Sequence, residues 1–412
     1  MMKKVLFIGL VFPESTSTAA GSRMLQLISF FKENNYEVVF ASAAQESSFA
    51  DDLKVLGVVK VPIELNNDSF DVFAKNLQPD IVVFDRFISE EQFGWRVTEN
   101  CPDAVRILDT EDLHCLRQAR QKMFKKEANF ELPLLHNLEI TKREIASIYR
   151  CDLSLIISSF EYKILTEHFK ISTTILLELP FMLHTISEET ILQKPNYKDR
   201  YDFISIGNFK HEPNWQSVLY LKKSIWPLIN KQLPNTRLLI YGAYANQKVT
   251  DLHNDKENFI VKGRAEDAHK VIANAKVLIA PLQFGAGLKG KLIEAMQNGT
   301  PSVTTTIGAE GMHANLPWNG FIENDSQKFA DKAVELYTDK SNWEKCQQNG
   351  IKIINFIYDK TKLSARLLQK IDEILQKLEV HRNRNFVGAL LQHHTLQSTK
   401  YLSKWIEEKN RN

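Results

Sequence analysis

Two successive trains of short apolar runs, separated by helical patterns, constrain this chain more than any other feature. The first train reads VLFIGLVF (5–12), EVVFASA, VVKVPI, DIVVFDRF, AVRILD and LSLIISS. After its first run, Met24, Leu27, Ile28 and Phe31 recur at helical spacing between Gly21 and Asn34. β-Branched and aromatic runs alternating with helices predict parallel strands buried on both faces. A polar stretch over 187–198, with Pro195, predicts a linker. The pattern then restarts with DFISIG (202–207), RLLIYGA, NFIVKG, KVLIAPL and PSVTTT, and from about residue 322 reads as helix to the end. The predicted class is α/β, with two doubly wound domains facing across a cleft and a helical C-terminal tail. The boundaries are 1–186, a linker at 187–200, 201–375, and a tail at 376–412. Ligands of doubly wound sheets bind beyond the carboxyl ends of the strands, so the cleft is the expected site.

Composition narrows the class further. A chain of 412 residues with 43% hydrophobic and 25% charged residues is neither disordered, collagenous nor a small disulfide scaffold. A formal charge of +2 gives no reason to expect nucleic acid as a partner. Cys101, Cys115, Cys151 and Cys346 lack C-x-x-C spacing and read as buried thiols in a reducing compartment. Met1 to Lys4 before an apolar run imitates a signal peptide. The run holds eight residues, however, and suits a buried first strand better. No apolar run approaches the roughly 18 residues that span a bilayer.

Residues 281–311, PLQFGAGLKGKLIEAMQNGTPSVTTTIGAEG, concentrate the chemistry. They read as strand end, glycine-rich turn, helix and second strand. Gly285 and Gly287 let the backbone approach a ligand, and a helix from about Leu288 directs its free amides at the turn. Lys289 places a cation at the helix end that disfavours one, a conflict that an anion there resolves. Lys291 and Glu294 share a helix face, and Glu294 can accept from sugar or ribose hydroxyls. Together these describe a diphosphate cradle with a ribose-reading carboxylate. A plain packing turn with a solvated Lys291–Glu294 pair is the other reading.

The ordered elements Gly285–Gly287, Glu294-Ala295-Met296, Gly299, Pro301–Thr304 and Gly308–Gly311 resemble the donor-site signature of retaining glycosyltransferase family 4, cell-envelope polysaccharide type. Weaker similarity covers residues 6–25, CDLSLIISSFE near 151, and 202–213. The resemblance implies a GT-B fold with two Rossmann-like domains. It implies a nucleotide diphosphate sugar as donor substrate, with no other cofactor. It also implies that Glu294 holds the ribose and that the loop Lys262-Gly263-Arg264 lies against the base, Arg264 either stacking on it or standing on the surface. Two positions depart from the pattern. Ala286 stands where many relatives carry a sugar-contacting glutamate, and the loop Gly207–Asn214 has Asn208 where an arginine is usual. Lys289 is therefore assigned to neutralise the diphosphate, with Lys291 second and Lys210 in reserve.

On the acceptor side, Asp109, Glu111, Asp112 and His114 follow a strand, with Arg117 and Arg120 beyond. The resemblance extends to D-T-x-D-L-H-x-L-R here. Asp109, Asp112 and His114 are the candidate group for the acceptor proton, against the plain reading of helix capping and ion pairing. Gly21-Ser22-Arg23 opens the first helix after the loop PESTSTAA and contacts acceptor or phosphate, or simply caps the helix. No D-x-D pair suits the cleft, so no metal site is expected. The last 32 residues carry six Lys/Arg against Glu407 and Glu408. With Phe386, Leu390, Leu391, Leu396, Tyr401, Leu402, Trp405 and Ile406 they form a basic amphipathic helix that either packs on the domains or meets an anionic membrane surface.

The sequence thus points to transfer of a sugar from a nucleotide diphosphate donor to a glycan or lipid-linked acceptor in envelope polysaccharide synthesis. The resemblance implies retention of configuration; the expected reaction needs no metal and takes place in the cytoplasm or peripherally at the inner face of the membrane. An epimerase, phosphorylase or inactive relative on the same fold, or a bilobed solute-binding protein, are the alternatives.

Overall fold

The computed structural model describes residues 2–411. Seven strands form the first sheet: β1 (Lys4–Gly9), β2 (Glu37–Ser42), β3 (Val59–Pro62), β4 (Ile81–Asp85), β5 (Val105–Asp109), β6 (Leu153–Ile156) and β7 (Leu176–Glu178). Six form the second: β8 (Tyr201–Ile206), β9 (Leu238–Tyr241), β10 (Phe259–Gly263), β11 (Ala275–Ala280), β12 (Ser302–Thr304) and β13 (Gly320–Ile322). Their orders are β3-β2-β1-β4-β5-β6-β7 and β10-β9-β8-β11-β12-β13, parallel throughout.

Both faces of each sheet are covered, which is why the strands read as unbroken apolar runs. Leu6, Ile8, Val82 and Phe84 enter one core, while Val5, Phe7, Val38 and Phe40 enter the other. The second sheet divides likewise, with Ile204 and Leu278 on one side and Phe203 and Val277 on the other. All four cysteines are buried and unbonded.

Strand order reverses between β1 and β4 in the first sheet and between β8 and β11 in the second. The loops leaving these four strands supply Leu10, Arg86, Gly207 and Leu282 to one shared cleft, as expected for a topological switch point.

The chain crosses between the units twice, side by side. Leu183 donates its N–H to the Tyr358 carbonyl at 2.7 Å, and Lys360 donates to the Leu183 carbonyl at 2.8 Å. The second crossing corrects the boundary drawn at 375. Helix Lys360–Gln376 returns to the first unit, and its Leu363, Leu367, Ile371 and Ile374 complete a core with Val5, Phe7 and Phe31. The linker stretch contains a short helix, Glu188–Leu192, and a single turn at Tyr197–Asp199. The final helix, Phe386–Arg411, packs on helices Arg86–Asn100 and Glu139–Arg150 of the first unit. Among the described residues, no helix is long and apolar enough to cross a membrane.

Candidate active site

The cleft holds about 990 Å³. On the second unit, β11 ends in a turn with Gly285 at φ 151° and Gly287 at φ 65°. The helix that follows starts at Gly290, two residues later than expected, with Lys289 at its N-cap. Lys289 is 8% exposed and donates from Nζ to the Gly287 carbonyl at 2.6 Å. Burial lowers its pKa, opposed by the carboxylates of Glu310 and Glu161. Part of the conflict of a cation at a helix start is thus relieved within the protein itself. Lys291 Nζ donates to Asn214 Oδ1 at 2.8 Å, and burial brings its ammonium down to about 8. A Cβ on Gly207 would lie 2.8 Å from that Nζ and 2.9 Å from the Asn214 amide, so a side chain there would push the Lys291–Asn214 pair aside. Glu294, one turn further on, has its carboxyl raised by burial against the pull of His269 and Lys291.

The first unit faces this turn with the segment after β5. Asp112 accepts from Arg117 Nη1 at 2.7 and 2.9 Å and lies 3.4 Å from His114 Nε2. Burial raises the Asp112 carboxyl, and Arg117 with His114 and His211 outweighs it, so the group is held below its ordinary value. Burial pushes the His114 imidazole down to about 4, and its ring packs edge-on against Phe87. At neutral pH the pair is therefore a carboxylate beside an uncharged imidazole.

Ten of the predicted residues line the cleft: Asp112, His114, Gly207, Lys210, Arg264, Gly285, Gly287, Lys289, Lys291 and Glu294. Four do not. Asp109 (0% exposed) turns back into the first unit, where Arg23 (1% exposed) donates to both its oxygens at 2.9 and 3.1 Å. Arg23 also donates to the Leu179 carbonyl. This pair is a structural bolt across the sheet end, with neither member reaching the cleft. Gly21 is packed beneath the Glu14 backbone, and its N–H is capped by Thr18. Gly263 takes φ 73°, and its carbonyl accepts from Gly242. Two predicted cations already have aromatic partners. Arg264 stacks on Phe49 at 4.5 Å and donates to Thr16 across the cleft, and Lys210 sits 3.5 Å over the Tyr244 ring.

Sequence reasoning left several residues of the site out of the candidate set. Arg86 and Glu111 line the cleft with φ 67° and 61°, a strained backbone for such side chains. Burial and the neighbouring Asp109 raise the Glu111 carboxyl, and its Oε1 is shielded without a hydrogen-bond partner. Glu161 joins the two units: one oxygen accepts from Gly287 N at 2.7 Å and from Leu113 N at 3.1 Å. Arg120 does so again, donating to the Gly285 carbonyl and to both oxygens of Glu310. The signal available for Arg86 and Glu111 was their place just past the ends of β4 and β5.

Residues 200–339 match the family model for glycosyl transferases group 1. Over 184 residues the chain is 24% identical to an uncharacterized 44.6 kDa protein in the cps region of Klebsiella pneumoniae, covering 42% of this chain and about half (47%) of that relative's length. Among solved structures, Staphylococcus aureus TarM in complex with fondaparinux, α-GlcNAc-glycerol and UDP superposes with TM-score 0.69 at 11% identity, over 90% of this chain and all of that one. Anabaena HepE in complex with UDP and glucose gives 0.63 at 13%, over 90% and 100%. The architecture of the chain is the GT-B fold.

Proposed function

We propose that this chain is a glycosyltransferase that moves a sugar from a nucleotide diphosphate donor to a hydroxyl of a glycan or lipid-linked acceptor, with retention of configuration. The observation that carries the reading is the juxtaposition in the cleft. A glycine turn and helix start with Lys289, Lys291 and Glu294 lie in the segment that matches group 1 glycosyl transferases, and they face Asp112 and His114 of the other unit. The likeness to TarM and HepE, each solved with UDP, supports a nucleotide-linked donor. The cps-region relative supports a role in polysaccharide synthesis, and the reading places the reaction in the cytoplasm.

In this mechanism the bond from the anomeric carbon to the diphosphate oxygen breaks, and the acceptor oxygen takes its place on the same face. The acceptor proton leaves for His114 or Asp112. Lys289, Lys291 and the amides opening helix Gly290–Gln297 stabilise the departing diphosphate. Those groups make a divalent ion unnecessary, and Glu294 accepts from the ribose hydroxyls.

A thermal-shift and hydrolysis screen over UDP-, GDP- and ADP-sugars in excess EDTA tests the proposal. One donor should stabilise the protein and be turned over. Lys289→Ala should cut turnover by orders of magnitude with unchanged circular dichroism, and alanine at Asp112 or His114 should identify the base. Stabilisation by free sugars alone would assign a solute-binding protein, and donor binding without turnover an inactive relative. Turnover lost to EDTA would overturn the metal-free mechanism.

A further inference from the structure

The final helix is amphipathic in an unusual arrangement, because its polar and small side chains face the protein. Gly388 lets the helix settle against the Tyr149 carbonyl, where a Cβ would come within 2.1 Å. Gln392 donates to the Arg150 carbonyl, Ser403 meets Asn66, and Glu407 pairs with Arg96. The apolar stripe is left outside. Phe386 is 74% exposed, Tyr401 68% and Trp405 60%, with Val387, Leu390 and Leu402 beside them.

Charge identifies what covers this stripe. Of the tail's cations, Arg382 is bound to Asp152, Lys400 to Glu99, and Arg411 to Asp68 and to the exposed Glu408. Arg384, Lys404 and Lys409 are exposed and have no carboxylate partner among the described residues, and Lys409 lies 5.2 Å from the Trp405 ring. The described apolar side chains of the stripe lie at its two ends, Phe386, Val387 and Leu390 at one and Tyr401, Leu402 and Trp405 at the other; at about 1.5 Å per residue each end offers on the order of 100 Å². Together they fall well short of the roughly 800 Å² that each side of a standard protein interface buries. Pairing two copies would also set like charges against each other. Aromatic and aliphatic side chains flanked by unpaired cations suit an anionic bilayer, where the rings sit at headgroup depth and each Lys or Arg adds about 1 kcal/mol.

We infer that the outer face of helix Phe386–Arg411 is a docking surface for anionic lipid, which holds the first unit against a membrane. The inference goes beyond the proposed activity and does not depend on it.

Co-sedimentation of the full chain with phosphatidylcholine vesicles, with and without phosphatidylglycerol, tests it. Wild type should pellet with the anionic vesicles and be released by salt. Lys404→Glu with Lys409→Glu should weaken binding by at least about fivefold per lysine, from about 1 kcal/mol each. Tyr401→Ser with Trp405→Ser should weaken it about tenfold or more. These side chains are exposed, so melting temperature and donor hydrolysis should not change. Wild type that stays in the supernatant, or variants that pellet as wild type does, would overturn the inference. A concentration-dependent dimer abolished by Trp405→Ser would overturn it in favour of a second copy of the chain.

Discussion

Gly287→Ala offers a measurement of how tightly the two halves of the cleft are registered. Gly287 and Gly57 share the same left-handed backbone, φ 65°, so alanine at either position carries the same conformational cost of about 1–2 kcal/mol. Their surroundings differ. At Gly57 the new Cβ would lie 3.4 Å from Lys32 Nζ, the mobile end of a flexible chain. At Gly287 it would lie 2.8 Å from Asp112 Cβ, with the Glu111 carbonyl at 3.5 Å. Carbon atoms pack at about 3.5–4.0 Å, so turn and acceptor segment must separate by roughly 1 Å. Glu161 spans that junction through Gly287 N and Leu113 N, and losing one of these buried bonds adds about 1–3 kcal/mol. The expected destabilisation is therefore about 2–5 kcal/mol at Gly287 against about 1–2 at Gly57, read as the difference in melting temperature. Displacing Asp112 by about an ångström from the donor turn should lower kcat for sugar transfer on the order of a hundredfold, while Gly57→Ala leaves it unchanged. Equal turnover and equal melting of the two variants would refute the claim that this contact sets the site.

Two further outcomes follow from burial. Asp109→Ala strands the Arg23 guanidinium in the core and should cost about 3–5 kcal/mol; the folded fraction should keep its kcat/KM, and a selective loss of turnover would restore Asp109 to the chemistry. The His114 pKa is depressed in the folded chain, to about 4. The unfolded state therefore binds the proton first, and this residue's contribution to stability falls as pH drops from about 6.5 towards 4. Urea midpoints of wild type and His114→Gln should converge or cross in that window, and parallel curves would show that the imidazole is not buried as described.

The sequence made the sheets legible because strands buried on both faces leave unbroken apolar runs. It missed β7 and β13, three-residue strands at the sheet edges, while the equally short β12 inside the second sheet was read. The glycine turn at 285–287 and its helix were legible as structure because their elements are contiguous. The polar group after β5 was only half legible, since four polar residues past a strand end do not reveal which way each one turns. The left-handed backbone at Glu111 separates Asp109, pointing inward to Arg23, from Asp112, pointing to the cleft. Spacing along the chain carries no trace of that reversal. The helix Lys360–Gln376 was assigned to the wrong unit for a related reason. Its helical character was read from the sequence, but the neighbour that covers its apolar face is more than 300 residues away.

That last helix has a consequence for how the chain is made. The side chains that close the core over β1 and the first helix are translated only after the entire second unit has been synthesised. At about 5–20 residues per second, the first unit waits on the order of ten to forty seconds with that apolar face uncovered. The two adjacent crossings at Leu183 and Asp359 mean that neither half is a closed module of synthesis. A chain cut at the linker would leave an amino-terminal fragment with an exposed, aggregation-prone flank, and the missing piece supplied separately would have to find it as a partner.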